Sequence, residues 1–156
     1  MRQLQEITQI PGVALTPLKA LTNESGGVYH VMRHTDFGFQ RFQEAYISTV
    51  NRGVIKHWRR HRQMTLNLVV PAGRVQFRAV KGLESAGTCG VIELSLSRYC
   101  RLTVPPGIWL SFRGEDEGIN MVINIADLVH DPSEADVLPL TTPELEWCWQ
   151  QELKLL

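Results

Sequence analysis

Residues 53–73 read GVIKHWRRHRQMTLNLVVPAG, a basic cluster that runs into an apolar segment and ends on a turn. Lys56, His57, Arg59, Arg60, His61 and Arg62 are packed around Trp58. In a strand, successive side chains alternate between faces. An unbroken strand would put Lys56, Trp58, Arg60 and Arg62 on one face and His57, Arg59 and His61 on the other. Whichever face looks inward carries cations into the body of the domain. Buried charge is tolerated only where it meets an anion, a partner or water. The segment therefore predicts a ligand pocket.

Outward from it, short β-type runs alternate with turn signals. AYISTV precedes Asn51-Arg52-Gly53; TLNLVV leads to Pro71-Ala72-Gly73 and RVQFRAV; VIELSL, RLTV, Pro105-Pro106-Gly107, IWLSF and NMVINIA follow. Many short strands at near-regular spacing predict an all-β antiparallel sandwich or barrel. In RVQFRAV, Val75, Phe77 and Ala79 take one face, and Arg74 and Arg78 are expected to be solvated or to face a second subunit. Residues 1–27, with Pro11, Pro17 and Gly26-Gly27, read as an N-terminal arm, and 28–140 as the barrel. Thr142-Pro143-Glu144 predicts the start of a helix over 141–156, with Thr142 as its cap. Leu145, Trp149 and Leu153 form its apolar stripe.

At 156 residues the chain is one domain with room for a core, and 44% hydrophobic and 21% charged residues suit a globular protein. Lys plus Arg and Asp plus Glu each number 16, which argues against a broad basic field for nucleic acid or membrane. Cys89, Cys100 and Cys148 are odd in number and form no CxxC pair, so a disulfide or zinc site is not expected and a reducing cytoplasm is. No stretch approaches the ~20 apolar residues of a membrane span.

With GVIKHWRRH, VVPAGRV, VPPGIW and HDPSEAD in view, the chain resembles the cupin superfamily. Within it, the likeness is to dTDP-4-dehydrorhamnose 3,5-epimerases and their divergent relatives, over roughly residues 28–149. The resemblance implies a jelly-roll barrel, a homodimer, and a nucleotide-linked 4-keto sugar used in surface polysaccharide synthesis. Metal-binding cupins carry three His and one Glu. Here Arg59, His61, Thr65 and Leu110 stand at those places, and arginine stays protonated, so neither a catalytic metal nor a cofactor is expected.

The epimerase reaction needs a base, a donor or cation on the enolate oxygen, and an acid across the ring. The resemblance aligns Lys56 with the family's Arg, Arg59 with its catalytic His, and Asn124 with its proton-donating Tyr. A guanidinium cannot act as that base. His61 becomes the leading base candidate, with Lys56 or Arg59 stabilising an enolate or phosphate. His57, Thr65, Trp109 and Asn124 complete the candidate substrate-binding set. Internal ion pairs of Lys56 and Arg59 with Glu44, Glu93 or a late carboxylate are the structural alternative. Tyr46 and Tyr99 are the strand-region phenols, neither of them assigned, and Asp127, His130, Asp131 and Asp136 form the late acidic segment. Two functions stay open: proton abstraction beside a keto group, or binding of a sugar nucleotide or small anion without catalysis.

Overall fold

The structure is a computed structural model, and it describes residues 6–84 and 87–150. Its strands are β1 (Glu6–Ile7), β2 (Ala14–Pro17), β3 (Ala20–Asn23), β4 (Gly26–Tyr29), β5 (Glu44–Val50), β6 (Trp58–His61) and β7 (Leu66–Ala72). They continue as β8 (Arg74–Lys81), β9 (Cys89–Ser95), β10 (Cys100–Val104), β11 (Ile108–Gly114), β12 (Asn120–Ala126) and β13 (Ala135–Leu138). A 3-10 turn, Pro132–Glu134, precedes β13, and one helix, α1 (Pro143–Gln150), follows it. The expected all-β jelly roll is the fold observed.

Two antiparallel sheets form the barrel, ordered β1-β2-β10-β7-β12-β5 and β13-β6-β11-β8-β9. The core between them is built from alternate residues of both, among them Leu66, Leu68, Val70, Phe77, Ala79, Leu102 and Leu110. Gly73 closes the β7–β8 hairpin at φ 74°, where a Cβ would strike the Ile119 carbonyl, so the turn requires glycine. Residues 6–17 are part of the first sheet as β1 and β2. Among the described residues of the arm expected over 1–27, β3 and β4 form a separate, exposed two-stranded hairpin.

Each sheet has a polar or mixed outer face with its own cover. On the first, the segment around Gly38 lies over Asn67 and Thr103: Asn67 Nδ2 donates to the Gly38 carbonyl at 2.9 Å, and Thr103 Oγ1 donates to Asn67 Oδ1 at 2.7 Å. Arg101, buried there, donates to the Val31 and Phe37 carbonyls. On the second sheet, α1 covers a separate apolar cluster of Trp58, Val80, Cys89, Trp109, Leu145 and Cys148. Arg78 is not solvated as expected. It is 2% exposed and donates to the Cys148 carbonyl at 3.1 Å. The cap expectation at Thr142 is met by its backbone alone. Its carbonyl accepts the first helical bond from Glu146, while its hydroxyl turns back to Pro139. Leu153 lies outside the described residues.

Cys89 and Cys148 form a disulfide with Cα atoms 5.6 Å apart, which corrects the expectation of none and removes the cysteine argument for a reducing compartment. The two are 59 residues apart in sequence, and only packing of α1 on β9 brings them together. Among the described residues, no helix is long and apolar enough to cross a membrane.

Candidate active site

A cavity of about 300 Å³ opens between the sheets. The second sheet and its approach supply Lys56, His57, Arg59, His61, Leu110, Phe112 and Val137; the first supplies Tyr46, Ser48, Leu66, Leu68, Val122 and Asn124. Leu66, Leu68, Leu110 and Val122 are buried and make an apolar floor, while Lys56, His57 and Arg59 are exposed at the rim. His61, 8% exposed, stands between floor and rim.

Alternation explains most of this lining. On β6, Arg59 and His61 point inward, and Trp58 and Arg60 outward. On β11, Leu110 and Phe112 face the cavity, so Trp109 cannot. It is buried beside Trp58 under α1, which corrects its assignment to substrate binding. On β7, Leu66 and Leu68 take the inner face, which leaves Thr65 outside the cavity, its N–H donating to Asp127 Oδ1 at 2.9 Å. Thr65 is therefore also withdrawn from the substrate-binding set. Lys56 departs from the expected pattern in the other direction: it shares the cavity with His57 rather than the outer face with Trp58.

The buried imidazole has one partner. His61 Nδ1 lies 2.5 Å from Glu134 Oε2, and the other oxygen of Glu134 accepts the backbone N–H groups of Gln63 at 2.7 Å and Met64 at 2.9 Å. Burial opposes ionisation of Glu134, but the hydrogen bond from His61 and those two backbone donors outweigh it and hold the carboxyl below the usual carboxylate range. With an ionised Glu134, Nδ1 of His61 carries the proton, and Nε2 is the nitrogen left to accept one. None of Asp127, His130, Asp131 or Asp136 reaches His61. Asp131 accepts from Ser133, and Asp136 pairs with Arg60 at 2.7 Å and with Arg62. Glu134, which sequence reasoning missed, sits inside the late acidic segment.

Tyr46 lines the same cavity as His61 from the other sheet. Asn124, 2% exposed, accepts the Asn67 N–H at 3.0 Å and donates through Nδ2 to the Tyr46 hydroxyl oxygen at 3.0 Å. The phenolic proton is thereby left to point elsewhere. Tyr99 lies outside the cavity, edge-on to Tyr29 at 5.3 Å between ring centroids, and burial raises its pKa. Among the described residues, the side chains of Lys56, His57 and Arg59 make no ion pair or hydrogen bond. Glu93 is engaged by Arg74, and Glu44 by the His130 N–H, so neither neutralises the rim. No three His, Cys, Asp or Glu side chains among the described residues come together to hold a metal ion.

By sequence, no family model and no curated protein matches the chain. Solved structures do. A dTDP sugar isomerase from Desulfovibrio desulfuricans G20 superposes with a TM-score of 0.86 at 28% identity, over 93% of this chain and 95% of that one. The fold is that of the dTDP-sugar epimerase-like cupins. A dTDP-6-deoxy-D-glucose-3,5-epimerase from Legionella pneumophila, in complex with dTDP-4-keto-L-rhamnose, matches this chain at TM-score 0.79 and 19% identity, over 92% and 81% of the two chains. A sugar 3,4-ketoisomerase from Thermoanaerobacterium thermosaccharolyticum, in complex with TDP, matches it at TM-score 0.70 and 17% identity, over 92% and 98%.

Proposed function

We propose that this cupin processes a nucleotide-linked keto sugar by metal-independent proton transfer next to the carbonyl, in the synthesis of surface polysaccharide. The observation that carries the reading is the cavity's layering: a hydrogen-bonded imidazole and a phenol from opposite sheets, beneath a cationic rim without carboxylates. A volume of about 300 Å³ suits one sugar ring, with the nucleoside outside. Lys56, His57 and Arg59 would then hold the diphosphate by charge-assisted hydrogen bonds.

In this mechanism Nε2 of His61 takes the proton from the carbon beside the keto group, and the bond's electron pair moves onto the carbonyl oxygen as an enolate. Glu134 stabilises the imidazolium and fixes its tautomer. Tyr46, its oxygen already accepting from Asn124, donates its proton to the enolate system from the opposite wall. Return of a proton to the same carbon from that side inverts it; where that carbon bears a hydroxyl, protonation of the former carbonyl carbon instead, with the hydroxyl proton passing to the enolate oxygen, moves the carbonyl. Assembly as a homodimer belongs to the same reading and is supported by the one-sided pairing of β5 and by Ile47 on it, 58% exposed.

The test is deuterium exchange from solvent into a panel of dTDP-4-keto-6-deoxy sugars. Exchange that disappears in His61→Ala, and product formation that is lost in Tyr46→Phe, support the enzyme. A second reading, a binder without catalysis, is favoured by Arg59 standing where the related epimerases keep their base. Saturable binding with no exchange under any condition would select it and sink the catalytic proposal.

A further inference from the structure

Ile55 pairs with Arg113, and Arg59 pairs with Leu110, so four steps along one chain face three along the other. The surplus residue makes a β-bulge at Lys56–His57, and bulges re-aim side chains. Two consecutive residues thereby line the same cavity, where an unbroken strand would send them to opposite faces. The cationic rim depends on that irregularity, and the irregularity needs hydrogen bonds of its own. The Lys56 N–H donates to the Phe112 carbonyl at 2.8 Å. The Lys56 carbonyl accepts from the hydroxyl of Ser111 at 2.5 Å.

Ser111 is fully buried on the outer face of β11, on the side that α1 covers. Its oxygen accepts the indole N–H of Trp149 at 3.1 Å. An indole N–H can only donate, so one lone pair of Ser111 is committed to it and the single hydroxyl proton is directed at Lys56. Trp149 is itself fixed. The guanidinium carbons of Arg78 and Arg113 lie 4.9 and 5.2 Å from its ring centroid, and the adjacent Cys148 is bonded to Cys89 of β9.

We infer that Ser111 and Trp149 are positioning residues for anion binding. The C-terminal helix, packed outside the barrel, holds the bulge that turns Lys56 and His57 into the cavity. This rests on the reading of the rim as the diphosphate site, so the experiment separates the two. Thymidine diphosphate is titrated calorimetrically into the full chain as wild type, Trp149→Phe and Ser111→Ala. Amide hydrogen exchange is followed at Lys56, whose N–H is bonded to the Phe112 carbonyl, and at Trp58, with β8 and β9 as internal reference. Trp149→Phe keeps an aromatic ring beneath the two guanidinium groups and loses the N–H with the five-membered part of the indole, so it guards against misfolding of Ser111→Ala. The expected result is affinity lower by about 5- to 30-fold in both variants, with faster exchange confined to residues 55–58. In turnover assays KM should rise while kcat holds. Unchanged affinity with unchanged local exchange overturns the inference, as does loss of protection spread evenly over β8 and β9. Failure of the wild type to bind thymidine diphosphate overturns the rim reading alone. Exchange at Lys56 and Trp58 in Trp149→Phe then still decides whether the helix holds the bulge.

Discussion

The two faces of β6 carry similar side chains under opposite conditions. Outward, Arg60 donates to Asp136 and stacks over Trp109 at 4.7 Å, and Arg62 joins the same carboxylate. Inward, Arg59 looks into the cavity with Lys56 and His57, and no described carboxylate meets any of the three. The two acidic side chains nearest the strand are both engaged, Asp136 by the outer arginines and Glu134 by His61. Cations of one type and one strand therefore divide into those that hold the fold and those left for a guest. The pairing decides this, since the residue type is the same.

The comparison breaks first at His61. His61→Ala should lower solvent exchange into a keto-sugar nucleotide by about 10²- to 10⁴-fold, the usual worth of a general base, while Arg60→Ala on the other face changes it by no more than a few-fold. Equal losses in both would mean that the faces are not functionally distinct. The next largest effect belongs to the outer face alone. The Cys89–Cys148 bond ties α1 to the sheet across 59 residues, so Cys148→Ser should lower unfolding free energy by about 2–4 kcal/mol in urea titrations. A variant as stable as the wild type would show that helix docking needs no tether.

How far the sequence revealed this arrangement follows from the reach of each signal. Alternation in strands is local, so the antiparallel barrel, the shared face of Arg59 and His61 and the shared face of Leu66 and Leu68 could be read from spacing, while the jelly roll followed from the resemblance. The same rule could not place Trp109 or Thr65, because it does not say which parity faces the cavity. The bulge at Lys56–His57 has no local signature, because it appears only when Ile55 and Arg59 are matched to their partners on β11. Glu134 and the disulfide are long-range facts of the same kind. The Glu134 carboxylate reaches His61, Gln63 and Met64 across 73, 71 and 70 positions, and Cys148 reaches β9 through a helix whose docking the sequence did not specify.

A paired exchange of roles sharpens the comparison further. Arg59→Ala should weaken thymidine diphosphate binding by about 10- to 100-fold, the range for a hydrogen bond to a charged group, and leave the thermal midpoint in place. Asp136→Asn should do the reverse, lowering the midpoint modestly and sparing affinity, because it strips Arg60 and Arg62 of their shared partner. If Arg59→Ala lowers the midpoint instead, Arg59 belongs with the scaffold and the inner face loses its distinction.

The smallest effect is in acid, and its sign follows from Glu134. Burial works against its charge, yet the bonds from His61, Gln63 and Met64 leave its folded pKa below the ordinary value of about 4.3. A carboxyl lowered on folding contributes stability that is fully present above the unfolded pKa and is lost as pH falls through the folded one. Asp131 and Asp136 are lowered too, by Ser133 and by Arg62 and Arg60 respectively, so the wild type declines in acid for several reasons at once. Glu134→Gln removes one of them and keeps the others. Subtracting its urea midpoints from those of the wild type, between pH 6 and pH 2.5, isolates the pair. The wild-type advantage should be constant above about pH 5 and shrink below pH 4. A difference that stays flat to the acid limit would mean the Glu134 carboxylate adds nothing through its charge. His61 would then be oriented by shape alone, and the inner face would have lost the ionised partner that fixes its tautomer.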